Sequence, residues 1–405
     1  MTDTSRSLLG LRPAVLAAAG LAAYGLSAGT SLAAPAAAPV KNGASQVSIK
    51  LTGNTCKVDH STAKAGPVTF RVTNVSATGI TEVELLQNLR IVGERENLAP
   101  GLPASSFTVT LDGGRYTVYC PGGKPENQPF TVTGKAAPSP GGSAAQLLAA
   151  GTKSYAAWVS SQAEAMRTAV NALAKAVNAG NLSEAKKNYV LARPFYEKIE
   201  SDVDGFVMPG FKATDNHGNL DYLIDMRASN IDKKVGWSGF HAVERDLYQR
   251  GAITSKTKSY ANALKANVGT LVTVVKKLSY KPEDLGNGAA GLLEEVQANK
   301  ITGEEEAYSH IDLVDFSGNL EGAQQAFANL QPGLAKIDKA LAATVDAQFT
   351  KARDALNAYR DASSPGGYIA WTTTNRKKYA KKLSRAVLAL QRPLQRIAQK
   401  VATGT

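Results

Sequence analysis

The chain has 405 residues, 43% hydrophobic and 20% charged, enough for two or three domains with sizeable cores, and this composition excludes wholesale disorder. A formal net charge of +12 permits attraction to anionic polymers. The basic residues, however, are scattered along helical stretches instead of gathering with aromatics into a nucleic-acid motif, so no nucleic-acid partner is expected.

Residues 1–38 read as a secretory leader. Arg6 and Arg12 precede an apolar run from Pro13 to Leu26, followed by small residues. The run is too short and too rich in Ala and Gly for a membrane span, which needs ~20 strongly apolar residues. No Cys follows it to carry a lipid anchor. The expectation is export to an oxidising compartment, the periplasm, cell envelope or exterior, as a soluble or surface-associated protein.

Residues 39–135 alternate with period two. Val47, Ile49 and Leu51 are followed by Val68, Phe70 and Val72, by Phe107, Val109 and Leu111, by Tyr116, Val118 and Cys120, and by Phe130 and Val132. Turn residues punctuate these runs, which predicts a β-sandwich. Glu82 and Glu84 alternate with apolar neighbours and would share one strand face. The only two cysteines, Cys56 and Cys120, both fall here. An oxidising compartment favours a disulfide between them; the alternative is two thiolate ligands joined by Glu82. A blue-copper site is disfavoured, because Cys120 is followed by Pro121-Gly122-Gly123-Lys124 with no Met in the region. His60 reads as an exposed loop residue.

The Pro, Gly and Ser of residues 136–146 make a linker. From 147 to 403 the apolar period is helical. Tyr155, Val159, Met166, Val170, Leu173 and Val177 form one stripe that ends at Gly180; Asn181 with Glu184 then reads as the start of a second helix. Stripes of the same kind over 264–278 and 379–401 complete an all-α bundle of about seven helices.

Within it, Gly239-Phe240-His241-Ala242-Val243-Glu244 sets an imidazole and a carboxylate three residues apart, on one helical turn, as a divalent metal requires. Acids also stand where a bundle prefers apolar residues: Glu197 and Glu200, Asp225, and the run Glu304-Glu305-Glu306 ahead of His310 and Asp312.

The string over 288–313, Gly-Ala-Ala-Gly-Leu-Leu-Glu-Glu-Val-Gln-Ala-Asn-Lys-Ile-Thr-Gly-Glu-Glu-Glu-Ala-Tyr-Ser-His-Ile-Asp-Leu, together with the His241 to Glu244 turn, closely resembles the imelysin-like domain of the EfeM/EfeO family, envelope components of bacterial ferrous-iron uptake systems. The run Glu94-Arg95-Glu96-Asn97-Leu98-Ala99-Pro100-Gly101 and the strand ending Tyr119-Cys120 resemble the family's cupredoxin-like N-domain. The resemblance implies a cupredoxin-like β-sandwich followed by an imelysin-like helical bundle. It implies metal ligands at His241, Glu244, Glu200, Asp225 and one of Glu304 and Glu305, entered here as Glu304, and in the N-domain at Cys56, Glu82 and Cys120, which turns the expectation for the cysteine pair towards a metal site. The implied cargo is iron, with copper in the N-domain assisting oxidation and zinc as the alternative metal. The implied partners are a membrane iron permease and a haem peroxidase-type protein. Residues 206–219, including His217, depart from the family pattern.

Iron capture for delivery to the permease is therefore the leading functional expectation. The rival is a zinc metallopeptidase of the imelysin type. It is disfavoured because such hydrolases need two histidines one turn apart with a glutamate base between them. Metal-assisted polysaccharide binding is the third.

Overall fold

The computed structural model describes residues 36–405 apart from 89, 138–140, 202–205 and 213. Residues 1–35 of the expected leader and Pro138-Ser139-Pro140 of the linker lie outside the described residues. The described residues form one compact unit.

Ten strands make the N-terminal half: β1 (Val40–Lys41), β2 (Ala44–Thr52), β3 (Thr55–Val58), β4 (Thr62–Lys64), β5 (Gly66–Asn74), β6 (Val83–Gln87), β7 (Arg90–Arg95), β8 (Ser105–Leu111), β9 (Gly114–Tyr119) and β10 (Asn127–Thr133). They form two five-stranded sheets. One runs β1-β2-β5-β8 with β3 also on β2, and the other runs β4-β10-β9-β6-β7. Pairing is antiparallel except for β2 with β5 and β4 with β10. The period-two residues of both sheets turn inward to one core, where Phe70 stacks on Phe107 with ring centroids 5.0 Å apart and meets Phe130 edge-on. Ala38 already belongs to this core, its N–H donating to Thr62 O, so the sandwich takes in the last residue assigned to the leader.

The C-terminal half is helical: α1 (Ser143–Asn178), α2 (Leu182–Glu197), α3 (Leu220–Asp225), α4 (Phe240–Glu244), α5 (Ser255–Val275), α6 (Pro282–Glu295), α7 (Asp312–Ile337), α8 (Lys339–Asn357), α9 (Thr373–Leu394) and α10 (Ile397–Thr403). Seven of these have fourteen residues or more; α4 is the short turn expected at 239–244, α10 takes up the end of the stripe expected over 379–401, and α3 is a short piece that the periodicity did not resolve. The stripe from Tyr155 to Val177 is buried along α1. Gly180 turns the chain with φ 73°, and the Asn181 side chain accepts from Glu184 N at 3.1 Å to start α2. Since α1 begins at Ser143, the linker ends at residue 142.

The two halves join along β8, an edge of its sheet. Thr108 N and Thr110 N donate to Asn287 Oδ1 and Glu283 Oε1 on α6 at 3.1 Å each, and Asn287 Nδ2 donates back to Thr108 O at 2.7 Å. Helix α6 thus satisfies backbone groups that an open edge would leave for another strand. No described helix is long and apolar enough to cross a membrane.

Candidate metal centre

Helix α4 is one turn long and lies in the middle of the bundle, with all five of its residues buried. Gly239 opens it at φ 86°. A Cβ at this position would stand 2.2 Å from Ile224 O, so only glycine lets α4 press against the end of α3. That approach brings Asp225 to His241. After Glu244 the helix widens into a π turn, 245–249, and α6 does the same over 296–300. Such turns re-aim side chains at a site, and the second one delivers Lys300.

Both nitrogens of the His241 ring face carboxylates. Nδ1 lies 3.1 Å from Glu244 Oε2 and 3.9 Å from Glu306 Oε1; Nε2 lies 3.3 Å from Glu305 Oε1 and 3.5 Å from Asp225 Oδ1. Two sets of three donors are each close enough for one ion: Asp225, His241 and Glu305, and His241, Glu244 and Glu306. The Glu244 carboxylate is fixed from behind, because Oε1 accepts from the backbone N–H groups of Tyr308 and Ser309 at 2.8 and 2.7 Å.

Around this ring the bundle buries charges of both signs. Arg193 is wholly buried over the face of Phe240 and contacts Glu197, Asp225, Glu305, Glu306 and Asp315. Lys300, equally buried, contacts Glu197, Glu200, Glu295 and Glu305, while Arg227 reaches Glu295, Glu304 and Glu305. With Glu244, nine acids surround three permanent cations and one histidine. Burying so many charges is tolerable only where partners or a bound cation balance them.

The protonation states follow. Burial alone would depress the His241 pKa, but Asp225, Glu244 and Glu305 carry it well above its usual value. Burial lifts Asp225 to about 7 against the pull of Arg193 and His241, and lifts Glu306 to about 8 with help from Glu244. Glu305 goes the other way: Lys300, Arg227 and His241 outweigh burial and hold it well below the usual carboxylate range.

A cavity of about 50 Å³ opens beside Asp225 and Glu305, the two carboxylates that face His241 Nε2, with Glu200 and Asp221 of the bundle on its wall and Glu96 of the sandwich closing it. Burial, then Glu82, Glu295 and Asp221, hold the Glu96 carboxyl well above its usual range.

Of the expected ligands, the structure brings together His241, Glu244 and Asp225. Of Glu304 and Glu305, the one that faces His241 is Glu305. The Glu304 carboxylate is 39% exposed and held by Arg227 and Ser229, whereas Glu305 is buried against His241. Glu200 stands on the far side of Glu305, with Lys300 and Asn319. The expectation of thiolate ligands at Cys56 and Cys120 is overturned. The two sulfurs are joined in a disulfide between β3 and the end of β9, and a sulfur so bonded carries no thiolate charge for a metal. Bonded to each other, the two sulfurs offer no thiolate to the copper expected of the sandwich. Glu82 does not join the cysteines into a site either; it stands just ahead of β6, where burial and the charge of Asp221 in the bundle raise its pKa. His217 is exposed beside Asp215, and His60 lies beside Asp59.

Sequence reasoning gave no site role to Arg193, Glu295, Lys300, Glu306, Asp315 and Glu96. Glu295, Lys300 and Glu306 fell in stretches already singled out, yet nothing in their spacing marks them as inward-facing. Glu96 acquires its role only where the halves meet.

The sequence profile of the imelysin family matches residues 151–397. The iron uptake system component EfeO of Escherichia coli O1:K1 is 34% identical over 340 residues, covering 82% of this chain and 86% of that protein. The EfeO components of Escherichia coli K12 and Shigella flexneri are each 35% identical over 325 residues, covering 78% of this chain and 81% of theirs.

Proposed function

The chain belongs to the family of the EfeO iron-uptake components and carries their imelysin half, and from that premise we propose that it captures iron as cargo in the cell envelope for an uptake system. The observation that carries the reading is His241 among four carboxylates within 3.9 Å, in a region where acids outnumber cations and a small cavity opens beside two of those carboxylates, Asp225 and Glu305.

The cavity selects one donor set. Iron is held by Asp225 and Glu305, which line the cavity, with His241 Nε2 behind them at 3.5 and 3.3 Å, and Glu96 and Asp221 at its wall offer further oxygen atoms. Glu244 does not line the cavity. Its role is to accept the Nδ1 proton of His241, fixing the tautomer and the ring plane while the backbone of 308 and 309 fixes Glu244 itself. One imidazole and two carboxylates suit Fe(II), and they also suit Zn(II). The reading extends to export and to hand-over of the cargo to a membrane permease, with a haem peroxidase-type protein as the further partner.

The peptidase reading is less well supported. The single histidine has no second imidazole beside it, and both oxygens of Glu244 are engaged, so it is not a free general base.

The test is calorimetric titration of Fe(II), Fe(III) and Zn(II) into the full chain and into His241→Ala, with circular dichroism alongside. Loss of tight binding with an unchanged fold is expected. Undiminished binding in the variant overturns the reading, and cleavage of unfolded casein that disappears in Glu244→Gln would favour the peptidase.

A further inference from the structure

Glu305 faces two ways. Its Oε1 is 3.3 Å from His241 Nε2, while its Oε2 is 3.5 Å from Lys300 Nζ. The Lys300 ammonium is wholly buried and also lies 3.1 Å from Glu197, 3.3 Å from Glu200 and 3.4 Å from Glu295. Glu200, Glu295 and Glu305 have oxygens within 4.8 Å of one another, a spacing that would let a single ion bridge them. A shell of carboxylate oxygens alone is what hard divalent cations take. Here an ammonium stands in that shell.

We infer that Lys300 occupies the place of a second cation in a pair bridged by Glu305, and so limits the chain to one bound ion. The inference rests on the proposed iron site, because Glu305 is shared between that site and the lysine. A lysine does this by carrying one positive charge and three N–H donors on a stem anchored in the backbone. It cannot leave with the cargo, and it neutralises the outer carboxylates without the dehydration a second metal would require. The π turn over 296–300 is the backbone device that swings the stem inward. Arg193 cannot substitute for it, being held among Asp225, Glu306 and Asp315. Arg227 pairs with the outward side of Glu295 and Glu305 and is 18% exposed.

The experiment uses Mn(II), a hard divalent ion stable in air, with equilibrium dialysis and native mass spectrometry on the full chain. The wild type is expected to hold one ion. Lys300→Met keeps the length of the stem and removes the charge, and is expected to hold two, falling back to one when Glu200→Gln is added. Electron paramagnetic resonance of Lys300→Met should show two manganese ions coupled through a carboxylate. A Lys300→Met protein that holds one ion, while His241→Ala holds none, overturns the inference and leaves the iron site standing. A wild type that binds no ion, or binds it equally after His241→Ala, overturns the iron site itself. Where Lys300→Met does not fold, Lys300→Gln carries the test, since it keeps N–H donors for the outer carboxylates but no charge; two bound ions are expected, and a single ion overturns the inference.

Discussion

The sandwich and the bundle each bury reactive groups, and they neutralise them by opposite means. In the sandwich Cys56 and Cys120 close on each other, and the surrounding core is apolar. In the bundle the buried groups remain ionic and balance one another across α2, α3, α4, α6, α7 and the irregular segment between α6 and α7. A covalent closure involves two residues and needs nothing from its surroundings. A charge network needs every member in place, and it leaves acids to spare for a cation.

If that contrast is right, the largest effect belongs to the network. Arg193→Met removes the partner of five acids and leaves them buried, and breaking such an assembly from one side costs about 3–5 kcal/mol, here at the upper end. Urea unfolding monitored by circular dichroism at pH 7 measures it. A cost below 1 kcal/mol would mean that the acids rearrange freely and that the network is not a preformed site.

The sandwich supplies the next test. Opening the disulfide, by reduction or as Cys56→Ser with Cys120→Ser, releases a loop closed over a sequence separation of 64, for which chain entropy gives ~4 kcal/mol. The loss should appear in unfolding of the sandwich, with the metal stoichiometry of the bundle unchanged. A bound ion lost on blocking the cysteines would revive their role as ligands.

These two regions were legible to different degrees for the same reason. Period-two alternation and helical stripes are local, so the sandwich, the linker and the long helices could be read directly. His241 and Glu244 could be found because a spacing of three fixes their relation on one turn whatever surrounds them. Glu305 could not be told from Glu304, because residues 301–311 form irregular turns with no period to show which carboxylate points inward. Lys300 and Arg193 resembled ordinary basic residues of a helix surface. Their burial is created by acids up to 122 positions away. The cysteines were misjudged differently: the compartment argument favoured a disulfide, and the family resemblance outweighed it.

The network also makes a pH prediction that the disulfide does not. In the ion-free protein His241 is protonated well above its usual range, and Asp225 titrates near 7. A metal takes an unprotonated nitrogen and an ionised carboxylate, so binding expels protons and affinity must rise with pH. Each proton released contributes about tenfold per pH unit. Between pH 8 and pH 6 the affinity should fall by roughly a thousandfold, more steeply below 7 where Asp225 joins His241. Calorimetry in buffers of different ionisation enthalpy counts the protons directly, and a pH-independent affinity would remove His241 from the ligand set.

The smallest effects separate residues that the sequence placed side by side. Glu244 touches the ring but not the cavity, so Glu244→Gln should keep the ion and weaken it by about 10- to 100-fold, as loss of an orienting partner does. The amide can still accept from the ring, yet it carries no charge to steady it, and the hydrogen bonds from the backbone of 308 and 309 weaken with it. Glu304 is more remote. Its carboxylate is held at the surface by Arg227 and Ser229, where an exposed pair contributes ~0–1 kcal/mol. Glu304→Gln should therefore leave stability and affinity within about threefold of the wild type, since screening reduces a charge at that distance. Glu305→Gln, one residue on, should lose the ion, because it removes a ligand and the partner of both Lys300 and Arg227. Measured together by one titration protocol, the adjacent pair decides which glutamate the turn points inward; equal losses in the two variants would mean that this segment rearranges when the ion binds.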